Sequence, residues 1–108
     1  MNNLSLPKAG IQLPQAHLKL VQSILADHVP QARVLAFGSR AAGTPRKYSD
    51  FDLAVIQPES LALRVISRLK NASEDSDLPI CVDVVDWNQA GDEFKAMVAK
   101  QGMIELQL

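Results

Sequence analysis

Two apolar runs bracket a turn that carries most of the chemically capable side chains in this sequence. Ala32 to Phe37 reads as a buried strand, and Leu53 to Ile56 completes a second one that begins at Phe51. Between them lie Gly38-Ser39, a basic loop with Arg40, Arg46 and Lys47, and the carboxylates Asp50 and Asp52. Side chains at i and i+2 of a strand share a face, so Asp50 and Asp52 project together. Phe51, Leu53 and Val55 point the other way, which lets one strand serve both a core and a site. Two carboxylates so close repel each other unless a cation holds them, and their oxygens are hard ligands suited to Mg²⁺ or Mn²⁺. Gly38 permits close approach of the backbone to a ligand. A short helix opening at Ser39 would aim free N–H groups and a positive dipole end at an anion. Metal ligands beside a phosphate cradle indicate nucleotide chemistry.

The spacing also carries a family resemblance. Gly38-Ser39, ten intervening residues, then Asp50-x-Asp52 is similar to the signature of polymerase-β-like nucleotidyltransferases. The wider pattern is Phe37-Gly38-Ser39-Arg40-Ala41, then Gly43, then Ser49-Asp50-Phe51-Asp52-Leu53-Ala54-Val55. It resembles the minimal nucleotidyltransferases, which include antitoxins paired with a small helical HEPN-domain toxin. The resemblance runs over residues 13 to 106.

It implies a reduced nucleotidyltransferase fold and transfer of AMP from ATP to a hydroxyl of a partner protein. In that role Asp50 and Asp52 hold metal, and a third catalytic carboxylate stands on the strand after the next helix. Asp83 fits that place, completing one metal site and helping to deprotonate the acceptor. Asp86, at the end of the run, competes with it but suits capping or turn duty better. Gly38 and Ser39 would hold the outgoing phosphates, and Arg40 or Lys47 would neutralise their charge. Mg²⁺ or Mn²⁺ is the implied cofactor, ATP the substrate, and a hetero-oligomer with the HEPN-domain protein the implied assembly. Two other readings stay open: a binding module that neutralises a toxin by contact alone, and a transferase acting on a small molecule. The chain has no room for the acceptor-binding domain that larger relatives carry, which counts against the small-molecule reading.

Size and charge narrow the field further. The 108 residues suit a single domain with a modest core. A net charge of −1 provides no broad basic field, so direct contact with nucleic acid is not expected. One cysteine, Cys81, allows no internal disulfide and suits a reducing cytoplasm. There is no signal-peptide pattern, and no apolar run approaches the roughly 20 residues of a membrane span.

The remaining segments organise around the turn. Residues 1–12 read as a flexible arm, and 13–108 as one nucleotidyltransferase domain. Pro14 suits a helix start, with Leu20, Val21, Ile24 and Leu25 as its apolar stripe and Pro30 as its stop. His17 and His28 read as surface or helix-end histidines. Ser60 is placed to cap a second helix whose stripe is Ala62, Val65, Ile66 and Leu69. Arg64 and Arg68 share another face of it, and Asn71 to Asp77 reads as a surface loop. Pro79 to Val85 is the expected third strand, with Cys81 as a core thiol. Ala90, Phe94, Met97 and Val98 mark a last helix stopped by Gly102, with the methionines packed. Ile104, Leu106 and Leu108 alternate as a short final strand. The expected fold is α/β (α+β), a small mixed sheet backed by helices.

Overall fold

A computed structural model describes residues 10–108 of the chain. Its elements are α1 (Gln15–His28), β1 (Arg33–Phe37), α2 (Ser39–Ala42), β2 (Phe51–Ile56), α3 (Leu63–Glu74), β3 (Val82–Asp86), a 3₁₀ turn (Trp87–Gln89), α4 (Asp92–Gln101) and β4 (Ile104–Leu106). The four strands form one sheet in the order β3-β2-β1-β4. β1 runs antiparallel to both β2 and β4, whereas β2 and β3 are parallel and joined through α3. The sheet is therefore mixed, as the alternation of elements implies.

Helices cover both faces. Phe51, Leu53 and Val55 alternate along β2 onto one face, where Val34, Ala36, Val82, Val84 and Leu106 join them. That face buries Val21 and Leu25 of α1 and Leu69 of α3. The other face is smaller: Phe37 and Ala54 pack against Val98 and Phe94 of α4, with Val85 and Trp87 beside them. Phe94 meets Phe37 edge-on at 5.6 Å between centroids, a favoured aromatic geometry.

Several expectations shift. The second helix continues to Glu74, so Asn71 to Glu74 are helical rather than loop. Ser73 is buried and its hydroxyl donates to the Leu69 carbonyl, which satisfies it inside the helix. Ser60 does not cap that helix; Ala62 holds the cap position, and the Ser60 hydroxyl accepts from Gln89. β3 opens at Val82, three residues after Pro79, and includes Asp86. Pro79 has no N–H to give a ladder. Cys81 is exposed, not a core thiol. Met97 and Met103 are exposed as well, so the last helix packs through Phe94 and Val98 instead. That helix starts at Asp92, leaving Ala90 in extended backbone before it.

Of the expected arm, residues 1–9 lie outside the described residues. Its end is fixed: Ile11 packs against the larger core, and the Gln12 N–H donates to the Arg40 carbonyl at 2.7 Å.

Candidate active site

The strand register assembles the site. Phe37 stands opposite Asp52, and Asp52 opposite Asp83. Neighbouring strands lie about 4.8 Å apart, so the end of β1, the start of β2 and the start of β3 meet at one end of the sheet. Asp52 shares the α4 face with Ala54, and Asp83 shares it with Val85, by the alternation of their strands. Asp50 sits just before β2 and is exposed. Asp50 and Asp83 both line a hollow at the outer edge of β3.

Gly38 brings the backbone onto this acid cluster. Its φ of 76° lies in the left-handed region, which a side chain tolerates poorly. A Cβ at this position would overlap the Asp52 carboxylate. Two demands thus require glycine here: the turn out of β1, and room for Asp52. α2 begins at the next residue; its Ala41 and Ala42 N–H groups donate to the Gly38 carbonyl, which leaves those of Ser39 and Arg40 at the open end of the turn. Ser39 stands at that end.

The electrostatics agree with the crowding. Burial, then the charge of Asp83, then that of Asp50, push the Asp52 carboxyl up from 3.8 to about 6. Like charges that face each other are expensive to keep ionised. The one ion pair among the described residues, Arg33 with Glu105 at 2.9 Å, lies on the β1–β4 side and does nothing to relieve them. A hard divalent cation fits this donor set by charge and by oxygen chemistry. The three aspartates do not close into a ready cage among the described residues. Asp50 and Asp83 are exposed side chains on either side of a half-buried one.

Sequence reasoning placed Arg40 at the phosphates, but the structure sends it elsewhere. Arg40 is buried, at 6% exposure. Its guanidinium donates to the carbonyls of Ser49 at 3.0 Å and Gln12 at 2.8 Å, with longer bonds to those of Lys47 and Arg46. It is the strut around which the 43–50 loop folds. Lys47 is exposed on that loop, its ammonium 5.3 Å from the Tyr48 ring centroid. Asp86 is buried and takes the N–H groups of Leu61 at 2.8 Å and Asn88 at 3.0 Å. It fixes the start of α3 and the 3₁₀ turn, in keeping with capping duty. His28 lies at the α1 end, its Nδ1 2.8 Å from the Ile24 carbonyl.

Known proteins share the fold. The family model described as polymerase beta, nucleotidyltransferase matches residues 19–104. A protein of Haemophilus influenzae named as a probable protein adenylyltransferase MntA is 41% identical over 92 residues, covering 85% of this chain and 81% of its own. A crystal structure of a toxin–antitoxin complex of MntA superposes with a TM-score of 0.66 at 28% identity, covering 82% of this chain and 70% of that one. A toxin–antitoxin structure with AMP-PNP gives 0.68 at 25% identity, covering 83% and 72%. The MNT antitoxin in complex with a tri-AMPylated HEPN toxin of Shewanella oneidensis gives 0.66 at 25% identity, covering 88% and 72%. The signature at Gly38-Ser39 and Asp50-x-Asp52, the sheet that brings its two halves together and the match over most of the chain have one common explanation: this chain belongs to the polymerase-β-type nucleotidyltransferases.

Proposed function

We propose that this protein is a protein adenylyltransferase that acts as an antitoxin, moving AMP from ATP onto a hydroxyl of a HEPN-domain partner. The observation that carries the reading is that the Asp52 carboxylate occupies the space a Cβ at Gly38 would need, with Asp83 in register beside it. A phosphate cradle and an acid cluster are thereby held against each other at one end of the sheet. The relatives support the rest: one is named for protein adenylylation, one structure holds AMP-PNP, and one holds an AMPylated toxin.

The reaction attacks the α-phosphorus of ATP. A bond forms from the acceptor oxygen to that phosphorus, the bond to the bridging oxygen breaks, and pyrophosphate leaves with the electron pair. In this reading Gly38 and Ser39 hold the outgoing phosphates through the first-turn N–H groups and the serine hydroxyl. Asp83 takes up the acceptor proton or orients the hydroxyl that loses it. Asp50, Asp52 and Asp83 are the residues that would hold Mg²⁺ or Mn²⁺, which supplies charge stabilisation at the entering and leaving oxygens. Asp52, the most buried of the three, anchors the group. Of Arg40 and Lys47, the two cations suggested for the phosphates, Lys47 is the one left to face them, since Arg40 is committed to carbonyls. Residues 13–108 form the single domain that does this, in a hetero-oligomer and in the cytoplasm. Among the described residues no helix is long and apolar enough to cross a membrane.

The test uses the complex with its HEPN partner, Mg²⁺ and ATP. Label in the α-phosphate should appear covalently on the partner with release of pyrophosphate, and label in the γ-phosphate should not. Transfer of γ-label alone would mean kinase chemistry and end the assignment. Tight binding of the partner with no transfer of either label would leave neutralisation by contact alone.

A further inference from the structure

Asp52 and Asp83 take their places from β2 and β3, but Asp50 stands just ahead of β2. The chain is tied on its far side: the Phe51 N–H donates to the Cys81 carbonyl at 2.9 Å, where β2 meets β3. On its near side the chain runs back through residues 44–49, and none of these side chains is buried. A segment without buried side chains has little packing to fix it, so hydrogen bonds must do so.

The Ser49 N–H donates to the Arg46 carbonyl at 3.1 Å, and the Arg46 N–H donates to the Ser49 hydroxyl at 2.8 Å. These two bonds close residues 46–49 into a turn. They do not reach the body of the protein. Among the described residues, the bonds that do come from the Arg40 guanidinium, to the carbonyls of Arg46, Lys47 and Ser49. The shortest of them, from Nε to Ser49 at 3.0 Å, bears directly on Asp50. A peptide unit is planar, so the Ser49 carbonyl lies in one plane with the Asp50 nitrogen and Cα. Holding that oxygen sets where Asp50 begins.

The same residue borders the phosphate cradle. Arg40 is the second residue of α2, with its N–H at the open end of the turn. Its carbonyl accepts from the Gln12 N–H at 2.7 Å, and its Nη1 donates back to the Gln12 carbonyl at 2.8 Å. Backbone and side chain of one buried residue therefore join the cradle to the loop that ends in Asp50. Burying a guanidinium against neutral carbonyls is costly, but its planar fork of donors reaches several carbonyls at once.

Resting on the reading of Asp50 as a metal ligand, we infer that Arg40 is a positioning residue for the metal. It sets the Asp50 carboxylate relative to Asp52 and to the Gly38-Ser39 turn, while its guanidinium touches neither metal nor nucleotide.

The experiment titrates nucleotide-free protein with Mn²⁺ by calorimetry, in a double-mutant cycle of Arg40→Ala and Asp50→Asn. Arg40→Ala should weaken Mn²⁺ binding about tenfold, the lower end of what losing an outer hydrogen-bond partner does to a metal site. In the Asp50→Asn background the same substitution should change Mn²⁺ affinity by less than about twofold, because the group it acts through is gone. Metal-free ATP affinity should hold in Arg40→Ala. If that variant does not fold, Arg40→Lys, which keeps a buried donor, runs the same cycle and should show the same pattern with a smaller loss. An equal loss of Mn²⁺ affinity in both backgrounds overturns the inference, since damage that ignores Asp50 is general. Unchanged Mn²⁺ affinity also overturns it, as does a loss of metal-free ATP affinity, which would put the guanidinium at the phosphates. An Asp50→Asn protein that binds Mn²⁺ like the wild type ends the assignment of Asp50 as a ligand, a failure read before Arg40 is altered.

Discussion

On the α1/α3 face of β2, Phe51, Leu53 and Val55 are fully buried in the larger core. On the opposite face the same strand presents Asp52, raised to about 6, beside Ala54 and a small cluster around Phe37 and Val98. One face excludes water and supplies stability; the other holds charge that the fold would be better off without. The difference shows how a domain of this size keeps a strained acid cluster: the apolar half of each strand underwrites the polar half. The two halves should therefore answer mutation in opposite ways.

The largest separation comes from one substitution on each face. Leu53→Ala should cost about 3 kcal/mol in denaturant unfolding, because a fully buried leucine leaves a cavity in the larger core. Asp52→Asn should leave the metal-free protein as stable as the wild type or more so, while adenylyl transfer falls about a thousandfold or further. Equal destabilisation by both would mean that Asp52 is a core residue and not a site residue.

Gly38→Ala tests the seam between the halves. The new Cβ meets a left-handed φ and the Asp52 carboxylate at once. A stability loss of about 2 kcal/mol is expected from strain of this kind, together with a loss of ATP affinity in calorimetry. Gly43→Ala, also at positive φ but with nothing within 4 Å of its Cβ, should show the milder strain alone and leave ATP affinity intact.

Arg40 and Lys47 sharpen the contrast in the other direction. Arg40→Ala strips four carbonyl oxygens of a buried donor and should cost about 2 kcal/mol, with the 43–50 loop becoming the first site of proteolysis. Lys47→Ala should stay within about 0.5 kcal/mol of the wild type, as exposed substitutions do, and weaken ATP binding instead. A reversed outcome would return Arg40 to the phosphates.

These contrasts follow how the chain reads. The turn from Phe37 to Val55 was legible because strand alternation fixes the facing of Asp50, Asp52 and Leu53 from sequence alone. The strand expected from Phe51 to Ile56 is β2 as observed. What escaped were matters of partner and placement. Arg40 looks like a phosphate ligand until its four carbonyls are known. Ser73 looks like loop until its hydroxyl is seen bonded to Leu69. Cys81 reads as core by its neighbours Ile80 and Val82, yet it lies outside the edge strand, where no second layer covers it. Hydrophobic period reports which face a residue takes; it does not report whether anything packs there.

A smaller effect than the losses at Leu53, Gly38 and Arg40 is the dependence of stability on pH. Asp52 has a folded value of about 6 against 3.8 for the unpaired group, raised by burial and by its two acidic neighbours. The folded state therefore binds more protons than the unfolded state between these two values, and stability must fall as pH rises through them. Below about pH 4 the carboxyl is protonated in both states and the burden vanishes. Above about pH 6 it is fully present. Because Asp52 keeps substantial contact with solvent, screening reduces the burden to about 1 kcal/mol. Other acids titrate across the same range, so the quantity to measure is the difference in unfolding free energy between wild type and Asp52→Asn at each pH. It should favour the variant increasingly from pH 4 to pH 6.5 and then level off. Saturating Mg²⁺ should shrink it, since a cation bound by the folded state alone opposes the same repulsion. A difference that stays flat across the range would mean that Asp52 is well hydrated in the folded protein, and that the two faces of β2 are less unlike than their packing implies.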